Sequence, residues 1–341
     1  MSIKSERYGQ LPGGEAVLAY TLVCGGLTAR ILSYGATLDS LWAPDRDGVP
    51  GDVLLGFGSL AERLAHSAYQ GETVGRYANR IAGARFALGG KTYAVEANEA
   101  GRTCLHGGGE FSHANWAAEP AGEATLRLRY QSPAGSMGFP GAVEAEALFT
   151  LTAQDLTIAY SARSDAATPF NMTNHAYFNL ACGGDVRGHV LQIDAESYLP
   201  IDGDSIPTGE VRPVAGTAFD FRSAKPIGRD LEDADPQLVQ CKGYDHNYCL
   251  AAGGEKLAAV AVDPASGRRM QLYTDQPGVQ LYTGNFLDSP GKNGVPQTQH
   301  SGFCLETQAW PDSPNRPEFA SCLLLPGEEY TSKTVLKFGV V

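Results

Sequence analysis

The chain has 341 residues, 43% hydrophobic and 19% charged, with a formal net charge of −12. That composition excludes a disordered or fibrous chain, and an acidic balance without a basic cluster excludes the footprint of nucleic-acid or anionic-membrane binding. Glycine (41 residues) and proline (20 residues) are frequent enough for many tight turns, as a strand-rich fold needs.

In chain order, the opening MSIKSERYGQLPGGEAV carries no apolar export core. No apolar run approaches the roughly 20 residues that span a bilayer. The expectation is a cytoplasmic protein. SLAERLAH (59–66) places Glu62 three residues after Ser59, a capping-box spacing that predicts a short helix. In ATLRLRY, Leu126, Leu128 and Tyr130 share one face and Arg127 and Arg129 the other. VEAEALFTLTAQDLTIAYSAR reads as two strands joined at Ala153-Gln154-Asp155, and MQLYTDQPGVQLYTGNF as two more around Asp275-Gln276-Pro277-Gly278. The terminal TVLKFGVV puts Leu336, Phe338 and Val340 on one face. Short strands of period two, broken by turn residues, predict an all-β antiparallel sandwich. No repeat and no linker divides the chain, so residues 1–341 are expected to form a single domain. The seven cysteines are odd in number and scattered, without a C-x-x-C, which predicts buried thiols in a reducing compartment and neither disulfides nor a thiolate zinc site.

No P-loop, H-E-x-x-H or G-x-S-x-G occurs, and polar stretches carry the candidate chemistry. GRYANRIAGARF (75–86) sets Asn79 beside Arg80, either to orient oxygens of a ligand or to tie down a loop. LHGGGEF (105–111) follows His106 with three glycines, which let backbone approach a ligand or make a turn. NMTNHAYFNL (171–180), as one strand, would point His175 to the same face as Thr173, Tyr177 and Asn179. In GYDHNYCL (243–250) an extended backbone puts Asp245 and Asn247 on one face and His246 on the other, and the alternative is an Asx turn. HSGFCLETQAWPDSPN (300–315) closes an apolar strand with the carboxylate of Glu306, with Gln308 on the same face. A carboxylate in such a setting is rare unless paired or functional. His175 and Glu306 therefore form a candidate acid/base pair. A metal held by His106, His175 and Glu306 ranks low, since these residues lack local ligand spacing.

GRYANRIAGARF, LHGG, TNHAYFNL, ESYLPIDGDSIPTGEVRPVAGTAFDFR, GYDHNYCL, GVQLYTGNF, HSGFCLETQAWPDSPN and LLPGEEY together resemble, in order, the aldose 1-epimerase (galactose mutarotase) family. The resemblance implies a single β-supersandwich and interconversion of the α and β anomers of a free aldose. It implies Glu306 as general base and His175 as general acid, with Asn79, Arg80, His106, Asp245 and Gln280 around the sugar hydroxyls. It implies no metal or organic cofactor and a free monosaccharide as substrate; no nucleic-acid or membrane partner is expected, and the chain is expected to be a monomer or weak homodimer. The sequence departs at NLACGG (179–184), where many members are shorter, a difference expected to bear on sugar preference. Aromatics such as Trp116, Tyr177, Phe286 and Trp310 are candidates to flank the sugar, with core packing the favoured role for most of them. Other readings are a hexose-6-phosphate 1-epimerase, which needs a cationic pocket, a non-catalytic sugar-binding protein, and a glycoside hydrolase using Glu306 and Asp245.

Overall fold

The computed structural model describes residues 3–66 and 68–341. Three antiparallel sheets dominate it. A five-stranded meander runs Lys4–Gln10, Ala16–Cys24, Leu27–Leu32, Thr37–Pro44 and Pro50–Asp52. A nine-stranded sheet runs from Ala117–Gly122 at one edge, through Asp155–Ser164, Tyr330–Val340 and Arg268–Thr274, to Lys225–Pro226 at the other. A six-stranded sheet orders Tyr177–Phe178, Phe303–Gln308, Gly278–Tyr282, Asp245–Cys249, Ser197–Tyr198 and Arg212–Pro213. One apolar cluster draws on all three, with Leu22 and Leu41, Leu128 and Phe149, and Leu281 and Leu305 among its members.

The period-two readings locate these strands because one face of each must leave water. Val143–Leu151 alternates buried and less buried side chains along its whole length, and pairs in register with Asp155–Ser164. Leu126 and Leu128 are buried and Tyr130 is partly so. Leu336 and Phe338 are buried, but Val340, paired with Arg268 at the last position of the strand, is 47% exposed. The segment around Asp275-Gln276-Pro277 is not a hairpin. It carries the chain from the nine-stranded sheet into the six-stranded one.

The predicted helix spans Leu60–Ala65, with Ser59 Oγ accepting from Glu62 N. Glu62 Oε2 accepts from Gly58 N, one residue before the position of an ideal capping box. Two further short helices, Glu110–His113 and Pro236–Cys241, complete the α content of the described residues. The thiols of Cys104, Cys241 and Cys304 are buried as expected, whereas Cys182 is exposed on its turn. No helix among the described residues is long and apolar enough to cross a membrane.

Candidate active site

A cavity of about 510 Å³ opens at one end of the six-stranded sheet, lined by Asn79, Arg80, His106, His175, Asp245 and Glu306 together with Tyr69, Glu99, Tyr177, Tyr282, Phe286 and Asp288. Six of the seven site residues read from the sequence converge on it.

One wall is made of strand. Asp245 and Asn247 share a face of Asp245–Cys249, as an extended backbone requires, and no Asx turn forms there. His246 points the other way, edge-on to Phe219 with ring centroids 4.7 Å apart and Nε2 3.2 Å from Gln237 Oε1. Glu306 stands directly opposite Gln280, and Asp245 opposite Tyr282. Gln280 is the exception among the site candidates. It is not on the cavity wall but behind Asp245, donating from Nε2 to Asp245 Oδ1 at 2.7 Å. The reason is register: Gln280 falls between Glu306 and Asn247 in the sheet and borders a separate void of about 10 Å³.

The other wall is made of connections. Asn79, His106 and Tyr69 all have left-handed backbone, with φ of 65°, 52° and 54°. His106 N donates to Asn79 O, and Asn79 N donates back to His106 Nδ1, both at 3.1 Å, so the two connections are stapled together. The glycines after His106 serve backbone packing rather than ligand approach. A Cβ at Gly107 would stand 2.4 Å from Gly75 O and Arg76 N, and φ there is 64°. Arg80 grips Glu99 through two bonds of 2.7 and 2.8 Å, which leaves Nη1 at 3.9 Å from Asp245. It thus ties down a loop and faces the cavity at once.

His175 does not lie within a single strand. The chain pairs briefly at Thr173–Asn174, breaks, and pairs again at Tyr177–Phe178 in a different sheet. The break lets the His175 backbone bond in both directions to another segment, N to Glu72 O at 2.9 Å and O from Gly71 N at 3.0 Å. Gly71 is required there, since its φ is 76° and a Cβ would lie 2.1 Å from Leu38 O. The expected common face is therefore not formed. Thr173 pairs with Val74, and the Asn179 amide donates to the carbonyls of Gly183, Gly184 and Ser301. Tyr177 does stack on His175, with centroids 5.1 Å apart, and Tyr69 stacks on it at 5.9 Å.

His175 Nε2 lies 3.7 Å from Glu306 Oε1, with both side chains almost fully buried. Glu306 Oε2 is buried without a protein hydrogen-bond partner. Burial, helped by the nearby charge of Asp245, pushes Glu306 well above the usual carboxylate range, and Arg80 only partly offsets it. Burial pushes His175 down to about 4. It also holds His106 well below its usual value and raises Asp245, against the pull of Arg80. Desolvation is the largest cause on both groups, so burial favours neither in its charged form.

His106, His175 and Glu306 bring ligand-capable atoms within 4.8 Å of one another, although no local spacing announces it. The arrangement still does not suit a cation. Nδ1 of His106 accepts from a backbone N–H, so the neutral ring carries its proton on Nε2, which donates rather than ligates.

Of the aromatic candidates, Tyr177 and Phe286 line the cavity. Trp116 is buried in the core with Nε1 bonded to Phe111 O, and Trp310 is bonded to Pro277 O beside Phe319. The 179–184 loop is also elsewhere. Asn179, Cys182, Gly183 and Gly184 border a second cavity with Lys292 and Gln297, so the loop does not touch the wall that holds His175 and Glu306. Tyr69, Glu99 and Tyr282 were not expected at the site. Tyr282 lies two residues past Gln280 on the same strand face, a period-two signal for it, whereas nothing in the sequence marks Tyr69.

Comparison with known proteins agrees with this geometry. The sequence profile described as Aldose 1-epimerase matches residues 19–337. The chain is 44% identical to galactose mutarotase from Mus musculus over 100% of this chain and 99% of the relative. It is 40% identical to aldose 1-epimerase from Escherichia coli K12 over 92% of each. A galactose 1-epimerase from Lactobacillus acidophilus superposes with TM-score 0.87 at 29% identity over 99% of both chains. An aldose epimerase homologue from C. elegans superposes with TM-score 0.88 at 29% identity over 95% of this chain and 99% of that one. The ordered motifs, the sheet architecture and the converging polar residues thus have one common account: the chain belongs to the aldose 1-epimerase family.

Proposed function

We propose that the protein interconverts the α and β anomers of a free aldose such as galactose or glucose, with Glu306 as base and His175 as acid. The observation that carries this reading is the buried His175–Glu306 pair at 3.7 Å in a cavity of hydrogen-bonding groups. The anomeric hydroxyl gives its proton to Glu306 while His175 protonates the ring oxygen. The C1–O5 electron pair goes to O5, and C1 becomes a carbonyl. Rotation about C1–C2 presents the other carbonyl face, and reclosure reverses both transfers.

Burial alone favours a neutral pair, a Glu306 carboxyl beside an uncharged imidazole. Moving that one proton from Glu306 to His175 makes the working carboxylate and imidazolium without changing the total charge of the site. The pair therefore titrates as a unit. Around it, His106 Nε2–H and Arg80 Nη1 supply donors, and Asp245 supplies an acceptor for sugar hydroxyls. Gln280 acts through Asp245.

The cavity favours a free sugar over a phosphorylated one. Asp245, Glu306, Glu99 and Asp288 line it with no lysine, and its one arginine is already engaged by Glu99 and Asp245. The same reading extends to a cytoplasmic chain of one domain, acting as a monomer or weak homodimer without other partners. The test follows optical rotation of freshly dissolved α-galactose, α-glucose, xylose and arabinose, with glucose 6-phosphate alongside. Acceleration of a free aldose above the spontaneous rate is expected. A wild-type protein that accelerates none of them overturns the proposal, and preference for the phosphate overturns the substrate class.

A further inference from the structure

Two of the cavity's histidines, His106 and His175, are held from behind by different groups. His106 Nδ1 faces a backbone donor, Asn79 N–H, at 3.1 Å. His175 Nδ1 faces the Cys304 sulfur at 3.6 Å, with the other ring nitrogen turned toward Glu306 Oε1. A backbone N–H can only donate, so the His106 tautomer is fixed as Nε2–H. A thiol can donate or accept, so it imposes nothing by itself. The choice at His175 falls to the reaction: Nε2 is the ring nitrogen that faces Glu306 Oε1, at 3.7 Å, and must hold a lone pair to receive the proton it passes on, which places the ring proton on Nδ1.

We propose that His106 and His175 are opposite neutral tautomers, and that Cys304 is the positioning residue for the second, its sulfur accepting the Nδ1 proton so that Nε2 stays free to take a proton from Glu306 and pass it to the ring oxygen. This rests on the acid/base reading above and deepens it. Cys304 sits on the same strand as Glu306, two residues before it, and directly opposite Tyr177, whose ring stacks on His175. The strand that carries the base thus also carries the support for the acid. Cys304 is fully buried, and burial keeps its thiol protonated far above neutral pH. A neutral, weak acceptor orients the imidazole without stabilising its charged form. A carboxylate at that place would orient the ring equally well, but it would hold the imidazolium and blunt it as an acid.

The balance of the step is simple. The Glu306 O–H proton moves to His175 Nε2, giving carboxylate and imidazolium. Imidazolium Nε2–H then protonates O5 as Glu306 takes the proton from O1. His175 returns to its Nδ1–H form, still bonded to sulfur.

The test is nitrogen-15 NMR of the histidine ring nitrogens in the full-length wild-type protein, with Cys304→Ser and Cys304→Ala alongside, and kcat and KM for the preferred aldose. His106 serves as an internal reference with a protonated Nε2. The expected wild-type His175 spectrum shows a protonated Nδ1 and a bare Nε2. Cys304→Ser retains an acceptor and retains that pattern. Cys304→Ala mixes the two tautomers and lowers kcat about five-fold, the worth of one ordinary hydrogen bond, with KM within about two-fold. A wild-type His175 protonated at Nε2 overturns the assignment, and this reading needs no variant to fold. A Cys304→Ala protein with both the wild-type pattern and the wild-type kcat removes Cys304 from the role. The spectra require no turnover, so failure of the epimerase activity itself would register separately, in the polarimeter.

Discussion

The two walls of the cavity are built by different means. The strand wall carries Asp245 and Glu306 at positions fixed by register, with Gln280 between their strands. The connection wall carries Asn79, Arg80, His106 and His175 on backbone that bends through left-handed residues and borrows hydrogen bonds from distant segments. Buried carboxylates must keep their spacing, and paired strands hold them. The donors must surround a small ring from several directions, and loops are able to reach around it. A site made by one method alone would lose either stiffness or enclosure.

The strand wall breaks most severely. Glu306→Gln keeps the shape and removes the proposed base, and kcat is expected to fall on the order of 10²–10⁴-fold. Circular dichroism should match wild type. A folded Glu306→Gln protein with near-normal turnover would remove Glu306 from the chemistry.

Acid titration tests both walls together. In the proposed mechanism the pair works with one proton between Glu306 and His175. A second proton goes to His175, which burial holds down to about 4. Below that value the pair is doubly protonated and has no base, so kcat/KM should fall about ten-fold per pH unit there. His175 also gives a stability signature. Its folded value lies below the ordinary value near 6.5, so the unfolded chain binds the extra proton first, and stability is lost as pH falls from about 6.5 toward 4. Glu306 and Glu72 act with the opposite sign. Burial raises both, Glu72 to about 7, so their contribution is lost as pH rises from the ordinary carboxylate range upward. An acid limb of kcat/KM near 6.5 would show that His175 is not held neutral by burial.

On the connection wall, Glu99→Gln releases Arg80 from one charged partner without touching either proton carrier. KM is expected to rise about five- to ten-fold, the worth of a charge-assisted bond, with kcat within two-fold. If kcat fell and KM held, Arg80 would belong to the chemistry rather than to binding.

The contrast between the walls also explains what the sequence revealed. Period two exposed the strand wall directly: Glu306 at the end of an apolar run, and Asp245 split from His246 by alternation. Gln280 came only from the family resemblance, which does not say whether a side chain reaches the cavity or supports one that does. On the connection wall the motif residues Asn79, Arg80, His106 and His175 were legible by type alone. Their partners were not, because no local rule links Arg80 to Glu99 nineteen residues away, or His175 to Glu72 across a break in pairing. Reading 171–180 as one strand failed there for that reason, since the tertiary bonds to Gly71 and Glu72 outcompete continued pairing. Tyr69 is the extreme case, a left-handed tyrosine set by its surroundings.

The smallest effect is expected where the fold meets the connection wall. The Leu60–Ala65 helix sends Arg63 to Asp39 Oδ1 at 2.9 Å, to Glu72 Oε1 at 3.3 Å and to Gln70 O at 2.8 Å. Glu72 in turn holds the His175 backbone. If the helix merely anchors this segment, Ser59→Ala should cost about 1 kcal/mol of stability through the lost cap and leave kcat and KM unchanged. Arg63→Met would leave buried Glu72 without its cation and Asp39 with Arg30 alone, at 3.6 Å, and should cost about 3–5 kcal/mol. Denaturant melts and polarimetry on the same two proteins separate the possibilities. A loss of kcat in Ser59→Ala, out of proportion to its small loss of stability, would mean that the helix tunes His175 through Glu72, and the connection wall would then have to be counted as stiff as the strand wall it faces.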